Sequence, residues 1–187
     1  QNLVFWDPVA EEYRAYFRDF TDDGQRIIET ARSDDFLHWS DETALAYPDA
    51  PDEQLYVNAI KPYYRAPHIK LGFPARYVER DWDSQSMREL PGWDFRQRRA
   101  DVGLRYGAAV TDTLFMSSRG DEVFRRWPRA FIRPGLWDDD SHSNWKYGDN
   151  YTAWQVVETE SPVPDKPREL SLYATERYWT SDARLRR

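Results

Sequence analysis

Three acids stand where a carboxylate needs a reason to be. Asp112 interrupts the apolar run "AAVTDTLFM", a place where an unpartnered carboxylate is expensive. Glu158 closes the run "NYTAWQVVETE" on the same face as Trp154, and Glu176 lies in "LYATERYW" beside Arg177. Two carboxyl groups about 5–9.5 Å apart are what glycosidic hydrolysis requires, one as acid and one as base or nucleophile. Asp112, Glu158 and Glu176 are therefore the candidate catalytic groups. The competing reading of Asp112 and Glu176 is an ion pair with an arginine, and Arg76 is the natural partner of Asp112.

A second set of residues could hold a sugar. "YVNAIKPYYRAPH" offers Asn58, Lys61, Tyr63, Tyr64 and His68 within eleven residues. Planar hydrogen-bonding side chains beside aromatic platforms suit a sugar's hydroxyls and its C–H face, although ordinary aromatic packing produces the same mixture. Arg76 could instead hold a carboxylate such as that of a uronic acid. Trp145, Tyr147, Tyr151 and Trp154 gather at the start of the last segment. Other acids read as structural. Asp7 before Pro8 is a turn acceptor, Asp34 and Asp35 belong to a corner, and Asp138 to Asp140 form a solvated run with at most a calcium role. His38, His68 and His142 lack ligand spacing, so no metal site is expected. No phosphate-binding loop, dinucleotide fingerprint or Gly-x-Ser-x-Gly elbow is present, and no cofactor is implied.

The chain that must position these groups has 187 residues, 16% of them aromatic, with nine Trp and twelve Tyr. Each buried ring removes roughly 150–250 Å² from water, so rings can build the core that sparse aliphatics cannot. The net charge of −7 argues against a nucleic-acid partner. No run approaches the roughly eighteen apolar residues of a membrane span. The absence of cysteine excludes disulfides and thiolate chemistry. A start at Gln1 and an end at "RLRR" read as a processed chain or an excised piece, with a secreted or periplasmic setting slightly favoured over a cytoplasmic one.

Alternation with a period of two dominates and predicts an all-β chain. "NLVFWDP", "EEYRAYFRDF", "QRIIETARS" and "ETALAYP" read as four antiparallel strands, with Asp23-Gly24 as a turn. The pattern restarts with "QLYVNAIKPYY", "HIKLGFPARYVER", "RYGAAVTDTLFMSS" and "RAFIRPG", interrupted at 81–101 by a polar, arginine-rich stretch expected to be an irregular insertion. "NYTAWQVVETE" and "RELSLYATERYW" open a third unit. The boundaries are a unit at 1–50, a second at 51–136, and an incomplete third at 145–187, in one partial domain.

The phrase "ARSDDFLHWS" has an echo in "SSRGDEVFRRWPRAF". Phe36 and Phe124 each precede their Trp by three residues, after Ser33 and Ser118, and each copy follows the third strand of its unit. Repeated four-stranded units in one chain point to a β-propeller; a twisted β-sandwich is the alternative. "VFWDP…EYRAYFRDF…ARSDDFLHW" resembles the blade pattern of five-bladed propeller glycosidases. "APHIKLGFPARY", "MSSRGDEVFRRWPRAFIRPG" and "SLYATERYW" are similar to one group of bacterial glycosyl-hydrolase-like proteins. The order Gly120-Asp121 departs from that pattern, which has Asp-Gly. The resemblance implies two complete blades and part of a third, with missing blades or a homo-oligomer completing the fold. It also implies a carbohydrate partner and glycoside hydrolysis by paired carboxylates. A glycan-binding propeller without catalysis and a structural or interaction propeller are the alternatives.

Overall fold

A computed structural model describes residues 2–90, 92–135, 145–178 and 183–187. The structure is mostly β, built of small antiparallel sheets. β1 (Leu3–Asp7), β2 (Glu12–Phe20), β3 (Arg26–Ser33) and β4 (Thr43–Ala44) form one sheet in the order of the sequence. Gly24 supplies the left-handed residue (φ +82°) of the turn between β2 and β3. β2 buries Arg14, Ala15 and Tyr16 in succession. Its buried face carries Arg14 as well as Tyr16, which is fully buried.

The segment that follows forms two further antiparallel sheets, one of four strands and one of three. β5 (Leu55–Val57) and β6 (Lys61–Tyr63) occupy the first run, and β7 (Ala66–Gly72) and β8 (Ala75–Val78) the second. β9 (Val110–Thr113) and β10 (Met116–Ser118) occupy the third, and β11 (Arg125–Arg126) follows. One sheet has the order β11-β10-β7-β6 and the other β5-β8-β9. Pro74, which has no N–H to donate, lies in the break between β7 and β8.

The stretch at 81–101, expected to be irregular, carries two short helices. α1 (Gln85–Arg88) is capped by Ser84, whose Oγ accepts from the Met87 amide at 3.2 Å. α2 (Trp93–Ala100) lacks an apolar stripe, and the residue it buries is Arg96; a periodicity search for core-facing helices passes over such a segment. α3 (Leu104–Ala108) takes up the beginning of what reads as a single strand, "RYGAAVTDTLFMSS". α2 and α3 touch at Gly107, where a Cβ would lie 2.4 Å from the Arg96 carbonyl oxygen.

The last unit begins at a bridge between Thr152 and Ala174. β12 (Val157–Thr159) pairs with β13 (Glu169–Ser171), and β14 (Ala174–Glu176) pairs with β15 (Arg184–Arg186). Two apolar clusters join the units. Phe5, Tyr16, Ile28 and Leu45 meet Leu55, Ile60, Leu114, Met116 and Phe124. Val57, Ala59, Phe73 and Ala75 pack on Tyr151, flanked by Val156 and Leu172.

The first of these junctions encloses charge. Lys70 Nζ lies 2.7 Å from Asp7 Oδ2 and 2.5 Å from Asp121 Oδ1, and Arg14 reaches Asp121 Oδ2 at 3.1 Å. Asp7 is fully buried, and its Oδ1 accepts from the amides of Val9 and Ala10, so it also closes its own turn. The two corner phrases diverge here. Asp35 accepts from the amides of Leu37 and His38, while Asp121 turns inward to Lys70. Phe124 is fully buried and Phe36 half exposed, so only the second corner plugs the core.

Removing one partner of a buried pair strands the other charge at about 3–5 kcal/mol. Lys70→Met should therefore lower the urea midpoint of unfolding by that equivalent at pH 7. Burial alone would raise the Asp7 carboxyl, but Lys70 and two backbone amides hold it below its ordinary value. Its stabilisation is present above an unfolded pKa of about 3.9 and is lost as pH falls through the lower folded value. The gap between wild type and variant should accordingly shrink in acid; a gap that stays constant to pH 2 would contradict the assignment.

Candidate functional site

The segment 145–150 is held from two sides. On one side Thr111 Oγ1 donates to the Asp149 carbonyl at 2.7 Å and accepts from the Gly148 amide at 3.0 Å. Asn150 Nδ2 donates to the Thr111 carbonyl at 3.2 Å, and the Asn150 amide to the Thr175 carbonyl at 2.8 Å. On the other side the helical insertion grips the chain: Arg96 donates to the Trp145 carbonyl and Arg99 to the Tyr147 carbonyl. Burial pushes the Arg96 guanidinium down to about 10. Gly148 has φ +97°, and a Cβ there would sit 2.1 Å from the Tyr178 ring; only glycine lets the chain turn against that ring.

This turn delivers Asp149 to the interior, 2% exposed. Its Oδ1 accepts from the Tyr178 amide at 2.8 Å, and Oδ2 lies 3.9 Å from Lys146 Nζ with no hydrogen bond of its own. Burial raises the Asp149 carboxyl to about 7; Lys146, the Tyr178 amide and Arg99 oppose the rise and Glu176 adds to it. A carboxyl poised there can donate or accept a proton near neutrality.

Asp149 and Glu176 line one cavity of about 250 Å³, with Asn150, Thr175, Arg133 and Arg186. Glu176 is clamped by Arg184 at 2.6 Å and Arg186 at 2.8 Å. A second cavity of about 520 Å³ shares Arg133 and is lined by Arg76, Arg80, Asp112, Arg129 and Trp145 among others. Within it Arg76 grips Asp112 through two bonds of 3.0 and 2.6 Å and reaches Glu53 at 2.7 Å. The Asp112 carboxylate, with Glu53, holds the Arg76 guanidinium above its usual range.

Arg76, Asp112, Trp145 and Glu176 therefore gather around Arg133. The other sequence candidates lie elsewhere. Glu158 binds Tyr64 Oη at 2.5 Å and Arg65 at 2.6 Å, outside both cavities. The bonds from Tyr64 and Arg65 hold its carboxyl below the usual range. Asn58 is buried and donates to the Tyr16 carbonyl. His68 is exposed on β7, and Tyr151 is buried, stacked on Tyr56 at 5.5 Å. Trp154 donates to the Ile60 carbonyl and carries Lys61 over its ring at 4.8 Å. Asp138 to Asp140 and His142 lie outside the described residues. Among the described residues no three His, Asp or Glu side chains converge as metal ligands, and no helix is long and apolar enough to cross a membrane.

Asp149, Asn150 and Arg133 escape sequence reading. The one local signal is "YGDN", an acid between a glycine and an asparagine that both adopt positive φ.

No protein-family model and no curated protein matches the sequence. Among solved structures, an N-acetylgalactosamine deacetylase from F. plautii, crystallised with blood group B trisaccharide, has a similar fold, with a TM-score of 0.53 and 10% identity. The similarity covers 92% of this chain and 39% of that one, so the chain spans well under half the length of its structural neighbour.

The raised Asp149 has a consequence for stability. Between an unfolded pKa of about 3.9 and the folded value of about 7, the native state binds more protons than the unfolded state, so stability falls as pH rises. The loss is on the order of 4 kcal/mol at its upper limit. Asp149→Asn should remove that fall. Urea midpoints at pH 5 and pH 8 test it: a wild type without an Asp149-dependent decline would refute the assignment.

Proposed function

We propose that this chain contributes two four-stranded blades and part of a third to a carbohydrate-active β-propeller. Its glycan site is the pair of cavities that meet at Arg133. The four-stranded meander β1-β2-β3-β4 and a second four-stranded sheet, β11-β10-β7-β6, each with a Ser–Phe–Trp phrase after its third strand, support the blade reading. The fold similarity to a glycan-bound deacetylase supports the carbohydrate reading. The observation that carries the site is the pairing of Asp149 and Glu176 in one cavity, with Asp149 poised near neutrality. In glycoside hydrolysis Asp149 would supply the proton to the leaving sugar oxygen and Glu176 the second carboxyl.

A second reading, glycan binding without cleavage, is favoured by the arginine partners of Asp112, Glu158 and Glu176. A carboxylate held in such a clamp is a poor base and a good structural anchor.

The discriminating experiment assays the full-length gene product on aryl glycosides and polysaccharides, with binding to the same sugars measured in parallel. Hydrolysis that falls about 100-fold or more in Asp149→Asn and Glu176→Gln, with binding retained, supports the enzyme reading. Binding without turnover in the wild type supports the second. Unimpaired hydrolysis in both variants removes these residues from the chemistry.

A further inference from the structure

We infer that the glycan taken at this site is anionic, bearing a carboxylate or sulfate recognised by Arg80, Arg129 and Arg133; the inference rests on the carbohydrate reading above. In the larger cavity four arginines, Arg76, Arg80, Arg129 and Arg133, face two acids, Glu53 and Asp112. Both acids are already committed. Asp112 takes two bonds from Arg76, and Glu53 bridges Arg76 and Arg126. Arg80, Arg129 and Arg133 are left without an ion pair among the described residues. Arg80 Nε is shielded from solvent and has no hydrogen-bond partner among the described residues.

The chain carries a net charge of −7, whereas the described residues lining this cavity carry more positive than negative charge. Charge of one sign lining a low-dielectric cleft concentrates ligands of the opposite sign. The planar fork of a guanidinium matches the paired oxygens of a carboxylate or sulfate. Trp145 lines the same cavity. Of the two roles open to Arg76 in the sequence, the structure shows the pairing with Asp112, and with Glu53 as well, so carboxylate recognition would fall to its neighbours.

The test titrates the full-length protein with acidic oligosaccharides, each paired with a neutral counterpart. Galacturonides and glucuronides are matched with their methyl esters, and sulfated disaccharides with desulfated ones. The two arms tell carboxylate from sulfate. The acidic member of a pair should bind at least about tenfold more tightly. Arg129→Gln and Arg133→Gln should each weaken it by about tenfold, weaken the neutral member far less so that the preference for the acidic member collapses, and reduce its salt dependence. Both side chains are exposed, and unchanged urea midpoints would exclude unfolding as the cause. Equal binding of acidic and neutral members, or indifference of the double variant, overturns this inference and leaves the carbohydrate reading standing. Binding of inorganic sulfate with no oligosaccharide bound overturns the carbohydrate reading and this inference together.

Discussion

A lysine ammonium placed between two aspartates, one fully buried and one part-buried, ties together the first two sheets. Lys70 comes from β7, Asp7 from the end of β1 and Asp121 from the corner before β11. Three segments distant in sequence must arrive together or leave charges buried and unpaired. The surrounding apolar cluster tolerates some rearrangement, because hydrophobic attraction has no direction. The ionic contact does not, and it sets the register at which Phe5, Tyr16 and Ile28 meet Leu114, Met116 and Phe124. Tyr16 adds a hydrogen bond to the Asp121 carbonyl at 3.1 Å.

The second junction uses a different means to the same end. Its rings stack (Tyr56 on Tyr151, with Tyr147 edge-on) and the Tyr147 hydroxyl donates to Tyr56 at 2.8 Å. Side-chain bonds from Thr111, Arg96 and Arg99 to backbone carbonyls then fix the turn that carries Asp149. The helical insertion is thus part of the site's scaffold. Two arginines in place of an apolar stripe let a short polar helix act as a clamp on backbone carbonyls, since each guanidinium presents several donors in a rigid plane. The same chemistry recurs across the two cavities, where arginines hold Asp112, Glu53 and Glu176. What distinguishes Asp149 is that desolvation outweighs its cations, whereas the other acids sit against theirs at close range.

Alternating side chains determined the strands of the first unit, because period two is a local property of a half-buried strand. β1 to β4 appear in the predicted order, and Asp23-Gly24 makes the predicted turn. The repeated Ser–Phe–Trp phrase located the corners for the same reason, since Ser33 and Ser118 each accept from an amide within three residues. Asp112 beside Arg76 was likewise legible, an acid in an apolar strand with a cation that cross-strand pairing brings opposite. Tertiary structure alone decided the rest. α2 is stabilised by contacts of Arg96 with residues far along the chain, so no periodicity announces it. Asp149 owes its character to burial beneath Tyr178 and beside Lys146 and Glu176, and burial is a property of the assembled units. Charge, spacing and alternation are written in the chain; desolvation, which turns one aspartate of many into a group that titrates near neutrality, arises only when the units close over it.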